Sequence, residues 1–284
     1  MVTMTDYAGL KPAWCPGCGD FGVLRALNKA LVEMGIEPHK VLLVSGIGQA
    51  GKLPHYTKGN IFNSLHGRPV PPAIGAKIAN SDLIVIAISG DGDAYGEGGN
   101  HFLHAARRNH DITYLVHDNQ VYGLTKGQAS PTSDVGFITK TTPYGAANPV
   151  NPIAMAIVSG ASFVARGYAG DVDHLASLIK KGITHRGFSL IDILQPCVSF
   201  NHKNTYQWYK ERVYKLEDES GYTPGNKRAA LEKALEWGER IPNGVIYEAD
   251  LPVYEDDLPA LSKIPLVKQK IDIQRVEKLL AEFM

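Results

Sequence analysis

Residues 83–109 read LIVIAISGDGDAYGEGGNHFLHAARRN. The first part, LIVIAIS, is apolar at nearly every position, which is typical of a central strand that helices cover on both faces of a parallel sheet. A glycine-rich polar turn follows, and its far end enters a helical pattern that predicts a helix over Glu97–Asn109. A buried strand, a polar turn and a helix in this order indicate an α/β fold.

The same alternation extends to both sides of this stretch. Short β-branched runs predict strands at Leu83–Ser89, Val41–Ser45, Ile112–His117, Ser162–Arg166 and Ser189–Leu194. Helical patterns predict helices at Asp20–Gly35, Arg68–Asn80, Pro152–Val158 and Asp171–His185. In the first of these helices, Asp20 is the predicted N-cap and Gly35 the C-terminal stop. We therefore predict a parallel sheet with helices on both faces.

The pattern changes beyond Phe200. Charged and aromatic residues with several prolines replace the alternation of strands and helices by about Thr205. We predict one domain at residues 1–204 and a C-terminal extension at residues 205–284 that packs on the domain or on a partner subunit. The aromatic segment 205–214 is predicted to pack against the sheet or a neighbouring chain, and a short helix is predicted at Ile271–Phe283.

Charge and composition limit the classes of partner. Lys+Arg and Asp+Glu both number 29, so no net charge attracts nucleic acid or an anionic membrane surface. No apolar run reaches the roughly 18 residues that span a bilayer. The first residues, MVTMTDYAGLKPAW, lack the pattern of a signal peptide. We expect a cytoplasmic protein that binds neither nucleic acid nor a membrane.

Polar loops follow two of the predicted strands. The strand at 83–89 runs into GDGD at 90–93, and the strand at 112–117 runs into DNQV at 118–121. In an open parallel sheet the carboxyl ends of the strands line the ligand crevice, so the two loops are expected to face each other. One crossover helix between the strands accounts for the length of chain that separates the loops.

These two loops contain the groups that a metal-bound phosphate requires. Asp91 offers a carboxylate, Asn119 an amide oxygen and Val121 a backbone carbonyl, which are the hard oxygen ligands that Mg²⁺ takes beside phosphate oxygens and water. Glycines let backbone N–H groups approach the anion, and a helix that begins near Glu97 adds a favourable dipole. The glycines concerned are Gly90, Gly92, Gly96, Gly98 and Gly99. The plainer alternative is a strand-to-helix turn with an unrelated asparagine.

The spacing of the two loops is similar to a known fingerprint. GDG followed about 25 residues later by an asparagine resembles the thiamine-diphosphate motif of transketolase-like and decarboxylase enzymes. Over roughly residues 12–205 the chain also resembles the β subunits of 2-oxoacid:ferredoxin oxidoreductases. The matching stretches are AWCPGCGDFGVLRAL, SGIGQAGKLPHY, SLHGRPVPPAIGAKIAN, GDGDAYGEGGNHFLHAARRN, NQVYGLTKGQASPTS and LIDILQPCVSFNH. The implied fold is the diphosphate-binding domain of thiamine-diphosphate enzymes.

The resemblance implies a cofactor site and a substrate site. Asp91, Asn119 and Val121 are the implied Mg²⁺ ligands. The implied cofactor-binding residues are His66, Gly67, Arg68, Gly90, Asp91, Gly92, Asp93, Asn119, Val121, Gly123, Leu124 and Thr125. Lys52 and His66 are the predicted catalytic residues, and the charge of Lys52 suits the carboxylate of a 2-oxoacid. Without the resemblance, Lys52 is interpreted as a solvated lysine and His66 as a loop histidine.

The resemblance also implies that Cys15, Cys18 and Cys197 bind a [4Fe–4S] cluster. The residues alone leave three alternatives open: a thioredoxin-like redox pair at Cys15 and Cys18, a zinc site, and an ordinary buried cysteine at Cys197. Many family members have a further cysteine where this chain has Gln49, so the fourth cluster ligand is open. The candidates for it are Asp20, Gln49 and His55. A separate zinc site at Glu97, His101 and His104 is a weaker alternative.

The implied reaction is oxidative decarboxylation of a 2-oxoacid with coenzyme A, with electrons passing to ferredoxin. 2-Oxoglutarate is favoured over pyruvate, and the reverse direction would fix CO₂. The length of the chain suits only the diphosphate-binding domain, so we expect an α subunit that bears the pyrimidine-binding domain, in a dimer of heterodimers. The alternatives are a non-oxidative thiamine-diphosphate-dependent decarboxylase or ligase subunit and a non-catalytic cofactor-binding scaffold.

Overall fold

An eight-stranded sheet forms the centre of the protein in a computed structural model, which describes residues 1–261 and 264–283. Its strands are β1 (Val41–Ser45), β2 (Asn60–Asn63), β3 (Ile84–Gly90), β4 (Thr113–Asp118), β7 (Phe163–Tyr168), β8 (Ser189–Leu194), β9 (Val213–Lys215) and β10 (Ile241–Glu248). A small hairpin, β5 (Val121–Tyr122) and β6 (Gln128–Ala129), lies outside it. The order is β2-β1-β3-β4-β8-β7-β10-β9, and among the described pairs of this sheet only β10 and β7 are antiparallel.

Helices cover both faces of this sheet. The α-helices of the described chain are α1 (Asp20–Glu33), α2 (Val70–Ala79), α3 (Gly99–Arg108), α4 (Pro152–Ser159), α5 (Val172–Thr184), α6 (Tyr206–Lys210), α7 (Lys227–Ala234) and α8 (Ile273–Ala281). The α2, α3, α4 and α7 helices pack on one face, and α1 and α5 pack on the other. Along β3, Val85 and Ala87 enter the first core while Ile86 and Ile88 enter the second. The predicted α/β fold, with helices on both faces of a mostly parallel sheet, is confirmed.

The role predicted for Asp20 at the start of α1 is wrong. Gly19 occupies the N-cap position, and no side chain bonds to the free N–H groups of that helix end. Asp20 is instead the first helical residue and is buried, with its Oδ1 2.6 Å from His117 Nδ1. The carboxylate therefore faces a histidine of β4 across the protein interior, a partner that a local capping pattern does not reveal.

The C-terminal extension contributes to the sheet. β10 pairs with β7, and α7 packs beside α4, so strand and helix structure continues beyond Thr205, contrary to the prediction. Tyr209 is buried against Tyr168 of β7, which places the aromatic segment 205–214 on the chain's own sheet. The division of the chain at residues 204 and 205 stays a prediction. None of the helices in the described ranges combines the length and apolar character that a bilayer crossing requires.

Candidate active site

A cavity lies at the carboxyl ends of three adjacent strands, β1, β3 and β4. β3 is the central one, and its last residue, Gly90, is in register with His117 of β4. The loops that follow these strands, with His66, line the cavity. Its lining consists of Ile47, Gly48, Gln49, Ala50, His66, Gly90, Asp91, Gly92, Asp93, Asn119, Val121, Tyr122, Gly123, Leu124 and Thr125. The structure thus brings the two polar loops together, as the strand order requires.

Asp91 supplies a buried carboxyl group at the base of the cavity. Its Oδ2 lies 2.7 Å from Thr132 Oγ1, and the same hydroxyl lies 2.8 Å from Asp118 Oδ1. Burial raises the pKa of Asp91 to about 6, although hydrogen bonds from Ser130 and Thr132 oppose this shift. Burial also raises the pKa of Asp118 well above its ordinary value, and the nearby Asp192 and Asp91 add to that shift. Acidic groups are therefore crowded beneath the cavity.

The Asn119–Val121 turn is held by its own side chains and by a distant loop. Asn119 Oδ1 accepts a hydrogen bond from the Val121 N–H at 3.0 Å, and Asp118 Oδ1 accepts one from the Gln120 N–H at 3.2 Å. The Asn119 amide group donates to Gln195 Oε1 at 2.9 Å. Asn201 Nδ2 donates to the backbone oxygen of Asn119 at 3.1 Å. The turn is therefore fixed in the conformation that presents an amide oxygen beside the Val121 backbone.

The donor set fits a magnesium ion with phosphate oxygens. Asp91, Asn119 and Val121 all line one cavity and offer a carboxylate, an amide oxygen and a backbone carbonyl. The amide oxygen of Asn119 accepts one bond within the turn, which leaves its second lone pair for a cation. A Cβ added at Gly123 would meet no atom within 4 Å, so the cavity is open at this position.

Only some of the predicted cradle glycines line the cavity. Gly90 and Gly92 do, and Gly92 also lets the Tyr122 ring pack closely, since a Cβ there would lie 2.3 Å from a ring carbon. Gly96 and Gly98 are outside the lining, where a Cβ would approach the Tyr122 hydroxyl or the Asp93 backbone oxygen. Gly99 begins α3, which lies beyond a π-helical turn at Gly92–Glu97. The N-terminal turn nearest the cavity is therefore this wider turn.

Asp93 organises the rim of the cavity. Its carboxylate accepts hydrogen bonds from the Gly67 N–H at 2.7 Å, the Ile47 N–H at 3.1 Å and the Ser89 hydroxyl at 2.5 Å. His66 Nδ1 lies 2.9 Å from Asp93 Oδ1. Since protein donors occupy both oxygens, Asp93 acts here by connecting three loops of the site.

Three of the residues predicted to contact cofactor or substrate lie outside the cavity lining. Gly67 is buried behind His66, and Arg68 is exposed. Lys52 is half-buried on the helical turn Ala50–Tyr56, whose first residue does line the cavity. The structure places all three near the site through their neighbours, and their predicted contacts with cofactor or substrate stay predictions.

Replacing Gly67 with alanine is expected to destabilise the fold by about 2–4 kcal/mol. Gly67 has a φ of +73°, and an added Cβ would lie 2.5 Å from the backbone carbon of Glu97. Gly75→Ala is the matched control, because a Cβ there meets no atom within 4 Å inside α2. That control should stabilise the protein by about 0.5–1 kcal/mol. Urea unfolding midpoints measure both effects. Equal midpoints for the two variants would show that the positive φ of Gly67 and its close approach to Glu97 do not require glycine.

The alternative zinc group at Glu97, His101 and His104 does not assemble. Glu97 Oε2 lies 3.4 Å from His66 Nδ1, and the Tyr122 hydroxyl lies 3.3 Å from the same carboxyl oxygen. Burial lowers the pKa of His101, and the Arg68 charge adds to the shift. Within residues 1–261 and 264–283, no group of three or more His, Cys, Asp and Glu side chains is arranged to hold a metal ion. Glu97 therefore belongs to the cavity rim.

The three cysteines lie on two segments that contact each other. The Gly19 N–H donates to the Pro196 backbone oxygen at 3.1 Å, and the Ser199 hydroxyl lies 3.1 Å from Cys15 Sγ. All three thiols are free, and Cys15 is the exposed one. Burial raises the pKa of the Cys18 thiol, and the Asp20 and Cys197 charges add to this effect. The structure thus gathers the cysteines in one region without setting them in a finished ligand arrangement.

The candidates for a fourth ligand differ in availability. The Asp20 carboxylate contacts both His117 and the Cys18 thiol, and His55 is exposed. The Gln49 backbone oxygen accepts a hydrogen bond from Trp14 Nε1 at 3.0 Å, which places this residue beside the segment of Cys15. Its side-chain Oε1 is buried and has no hydrogen-bond partner in the described part of the chain. Among the three candidates, Gln49 therefore offers a buried side-chain oxygen that is available to a fourth iron.

Several site residues were missed by sequence reasoning. Thr132 bridges Asp91 and Asp118, Tyr122 packs on Gly92, and Gln195 and Asn201 hold Asn119. All four lie in the stretches 119–133 and 190–202 that carry the family resemblance, but no local pattern indicated that these side chains contact the site.

Comparison with known proteins assigns the family. Residues 46–193 match the thiamine pyrophosphate enzyme family, C-terminal TPP binding domain, and residues 197–263 match the family of the C-terminal part of pyruvate ferredoxin oxidoreductase beta subunits. A 2-oxoacid:ferredoxin oxidoreductase subunit beta from Sulfolobus sp is 50% identical over 262 residues, covering 88% of this chain and 86% of the relative. A 2-oxoglutarate synthase subunit KorB from Methanothermobacter marburgensis is 39% identical, covering 77% and 76%.

A solved structure agrees over nearly the whole chain. It is a 2-oxoglutarate:ferredoxin oxidoreductase from Magnetococcus marinus with 2-oxoglutarate, coenzyme A and succinyl-CoA bound. The TM-score is 0.90 at 35% identity, and the alignment covers 98% of this chain and 96% of that one. With a thiamine-diphosphate-binding domain placed around the cavity at β1, β3 and β4, the chain belongs to the beta subunits of the 2-oxoacid:ferredoxin oxidoreductases, an oxidoreductase family.

Proposed function

We propose that this beta subunit serves an enzyme that converts 2-oxoglutarate and coenzyme A to succinyl-CoA and CO₂ and passes the electrons to ferredoxin. The main support for this proposal is that Asp91, Asn119 and Val121 provide oxygen donors at one cavity. The choice of 2-oxoglutarate rests on the names of the KorB relatives and on the ligands of the Magnetococcus marinus structure. Pyruvate is the next candidate, and the reaction run in reverse would fix CO₂.

Asp91, Asn119 and the Val121 carbonyl would hold Mg²⁺, and two diphosphate oxygens with one water would complete six ligands. Gly90, Gly92 and the segment Gly123–Thr125 would surround the diphosphate, because they line the same cavity. Asp93 would support this site from behind by fixing the loops at Ile47 and Gly67. Gly67 and Arg68 would then influence cofactor binding indirectly, by positioning His66 and the other residues of the cavity rim.

Bound thiamine diphosphate supplies a nucleophilic carbon and an electron sink for the decarboxylation of a 2-oxoacid. Around it, His66 is oriented by its Nδ1 contact with Asp93, which leaves Nε2 to hold or give a proton. The His66 side chain lines the cavity and is 40% exposed at its rim. The exposed Leu124 side chain adds an apolar surface at the same mouth.

We further propose that Cys15, Cys18 and Cys197 bind a [4Fe–4S] cluster that takes the electrons from the cofactor. The contact between their two segments supports this, and the region adjoins the cofactor loop through Gln195. The free oxygen of Gln49 supports a non-thiolate fourth ligand. A ligand of this kind should leave one iron more labile than the other three.

The proposed enzyme requires two protein partners, an α subunit and ferredoxin. An α subunit with the pyrimidine-binding domain would close the active site, and the unit would assemble as a cytoplasmic dimer of heterodimers. The apolar side chains on α8, which include Ile273, Val276, Leu279 and Leu280, are exposed in the single chain and support contact of the extension with a partner subunit. Ferredoxin would take the electrons at the exposed side of the cysteine region, where Cys15 is accessible.

The proposed function is tested by measuring how fast the copurified complex reduces a viologen dye under anaerobic conditions. We expect reduction that requires coenzyme A and is fastest, by kcat/KM, with 2-oxoglutarate in a panel of 2-oxoacids that includes pyruvate. Release of CO₂ without dye reduction would instead support a non-oxidative decarboxylase. Cofactor binding without turnover for any 2-oxoacid would support a scaffold.

Replacing Lys52 with alanine is expected to lower kcat/KM for the 2-oxoacid by about 10-fold to 100-fold, because a charge-assisted contact of about 1.5–3 kcal/mol is lost. Thiamine-diphosphate affinity should stay unchanged. Lys58→Ala is the matched control, since Lys58 is exposed two positions beyond the helical turn that carries Lys52. Equal kinetics of the two variants with every 2-oxoacid would remove Lys52 from the substrate site.

A further inference from the structure

Gln195 lies between the proposed magnesium site and the cysteine region. It follows the last residue of β8, and only 1% of its surface is exposed. Its backbone N–H donates to the backbone oxygen of Asp118 at 2.9 Å, and this hydrogen bond joins the ends of β8 and β4. The side chain therefore starts from a rigid position at the carboxyl edge of the sheet.

One end of the Gln195 amide holds a proposed magnesium ligand. Its Oε1 accepts a hydrogen bond from Asn119 Nδ2 at 2.9 Å. Since the Asn119 amide group is used in this bond, its oxygen faces the opposite way, toward the Val121 N–H. The Gln195 oxygen thus selects the orientation of Asn119 in which the amide oxygen is available to a cation.

The other end of the amide holds a proposed cluster ligand. Nε2 donates to the Pro196 backbone oxygen at 2.9 Å and to Cys18 Sγ at 3.5 Å, so both N–H groups and the oxygen of this amide have partners. Gly19 makes the approach possible, because a Cβ there would lie 2.9 Å from Gln195 Cγ and Nε2. The glycine beside Cys18 therefore leaves room for this side chain.

We propose that Gln195 is a positioning residue that couples the two centres, aiming Asn119 at the magnesium ion and donating an N–H to the Cys18 sulfur. The proposal rests on the proposed function for the identity of both centres. An N–H bond to a ligand sulfur stabilises the more negative, reduced cluster and raises its potential. A buried oxygen acceptor that orients a metal ligand contributes to metal affinity. The two ends of one amide therefore have separable effects.

Two substitutions at Gln195 separate these effects in the copurified complex. Gln195→Glu keeps an oxygen for Asn119 but replaces the amide nitrogen beside the sulfur. We expect Mg²⁺-dependent thiamine-diphosphate affinity within about threefold of wild type, and a shift of the cluster potential to a more negative value. Gln195→Met removes both ends, so the affinity should also fall by about 10-fold to 100-fold.

The affinity is measured by calorimetric titration with Mg²⁺ and thiamine diphosphate, and the potential by redox titration followed by electron paramagnetic resonance. Gln207→Glu is the control, because the Gln207 side chain is exposed and bonds only to Glu211 among the described contacts. It should move neither quantity. Gly19→Ala offers a second route that leaves the Gln195 chemistry intact, and it should lower the affinity and the potential by displacing the side chain.

Unchanged affinity in both Gln195→Met and Gly19→Ala would overturn the role toward Asn119, and an unchanged potential in Gln195→Glu would overturn the role toward Cys18. These outcomes leave the proposed function standing, because the wild-type complex would still hold both centres. A wild-type complex that binds thiamine diphosphate without iron would remove the electron-transfer part of the proposed function and the Cys18 role together. The Asn119 role would then be decided by the affinities alone.

Discussion

Replacing Asp91 with alanine is expected to weaken Mg²⁺-dependent thiamine-diphosphate binding by more than about 100-fold. Asp91 is the one carboxylate in the proposed ligand set, so its loss removes an anionic metal ligand and leaves the diphosphate charge less neutralised. Thr132 would also lose the acceptor that lies 2.7 Å from its hydroxyl. Calorimetric titration of the complex with Mg²⁺ and thiamine diphosphate measures the effect.

The control for this variant is Asp82→Ala. Asp82 is an exposed acid that pairs with Lys268 on the surface, so the substitution removes the same charge far from the cavity lining. We expect it to leave cofactor affinity within about threefold of wild type. An Asp91→Ala complex with wild-type affinity would show that the metal is held elsewhere.

Replacing Cys197 with serine is expected to remove most of the iron from the chain. Anaerobically purified wild-type complex should contain about four irons per beta subunit at this site, and air should convert the cluster to a three-iron form. Since one of three thiolates is lost in the variant, the cluster should not assemble and dye reduction should fall to background. Iron analysis and the spectrum of the reduced protein measure the change, and thiamine-diphosphate affinity serves as the internal control.

Full iron content in Cys197→Ser would return Cys197 to an ordinary structural cysteine. A preparation that contains zinc without iron under strict anaerobic conditions, yet remains active with ferredoxin, would place the electron acceptor on another subunit. Either outcome separates the cluster assignment from the magnesium assignment, which depends on different residues.

The central strands could be predicted because burial leaves a direct trace in the sequence. β3 is apolar on both faces, and Val85 and Ile86 indeed enter opposite cores. β10 was missed for the converse reason: its sequence IPNGVIYE contains a proline and a glycine, which argue against a strand. The structure accommodates Gly244 with a φ of +142° and an irregularity between Val245 and Tyr247.

The candidate site was predictable where topology controls it. Asp91 and Asn119 share a cavity because each follows a strand, and those strands are neighbours in a parallel sheet. The supporting residues were not predictable in this way. Thr132 and Gln195 reach the site from loops whose course depends on tertiary packing, and a hydroxyl or an amide in a loop gives no periodic signal. The same limit explains Asp20 at the start of α1, because its partner His117 lies far away in sequence on β4.

We propose that this subunit passes electrons from a magnesium-bound cofactor to a cluster held by its own cysteines. The most direct test is electron paramagnetic resonance of the anaerobic copurified complex, without any external acceptor, before and after addition of 2-oxoglutarate and coenzyme A. A reduced-cluster signal should appear only when thiamine diphosphate and Mg²⁺ are present, and it should be absent in Asp91→Ala and Cys197→Ser complexes. Release of CO₂ by the wild-type complex with no cluster signal would show that the cysteines of this subunit do not hold the electron acceptor.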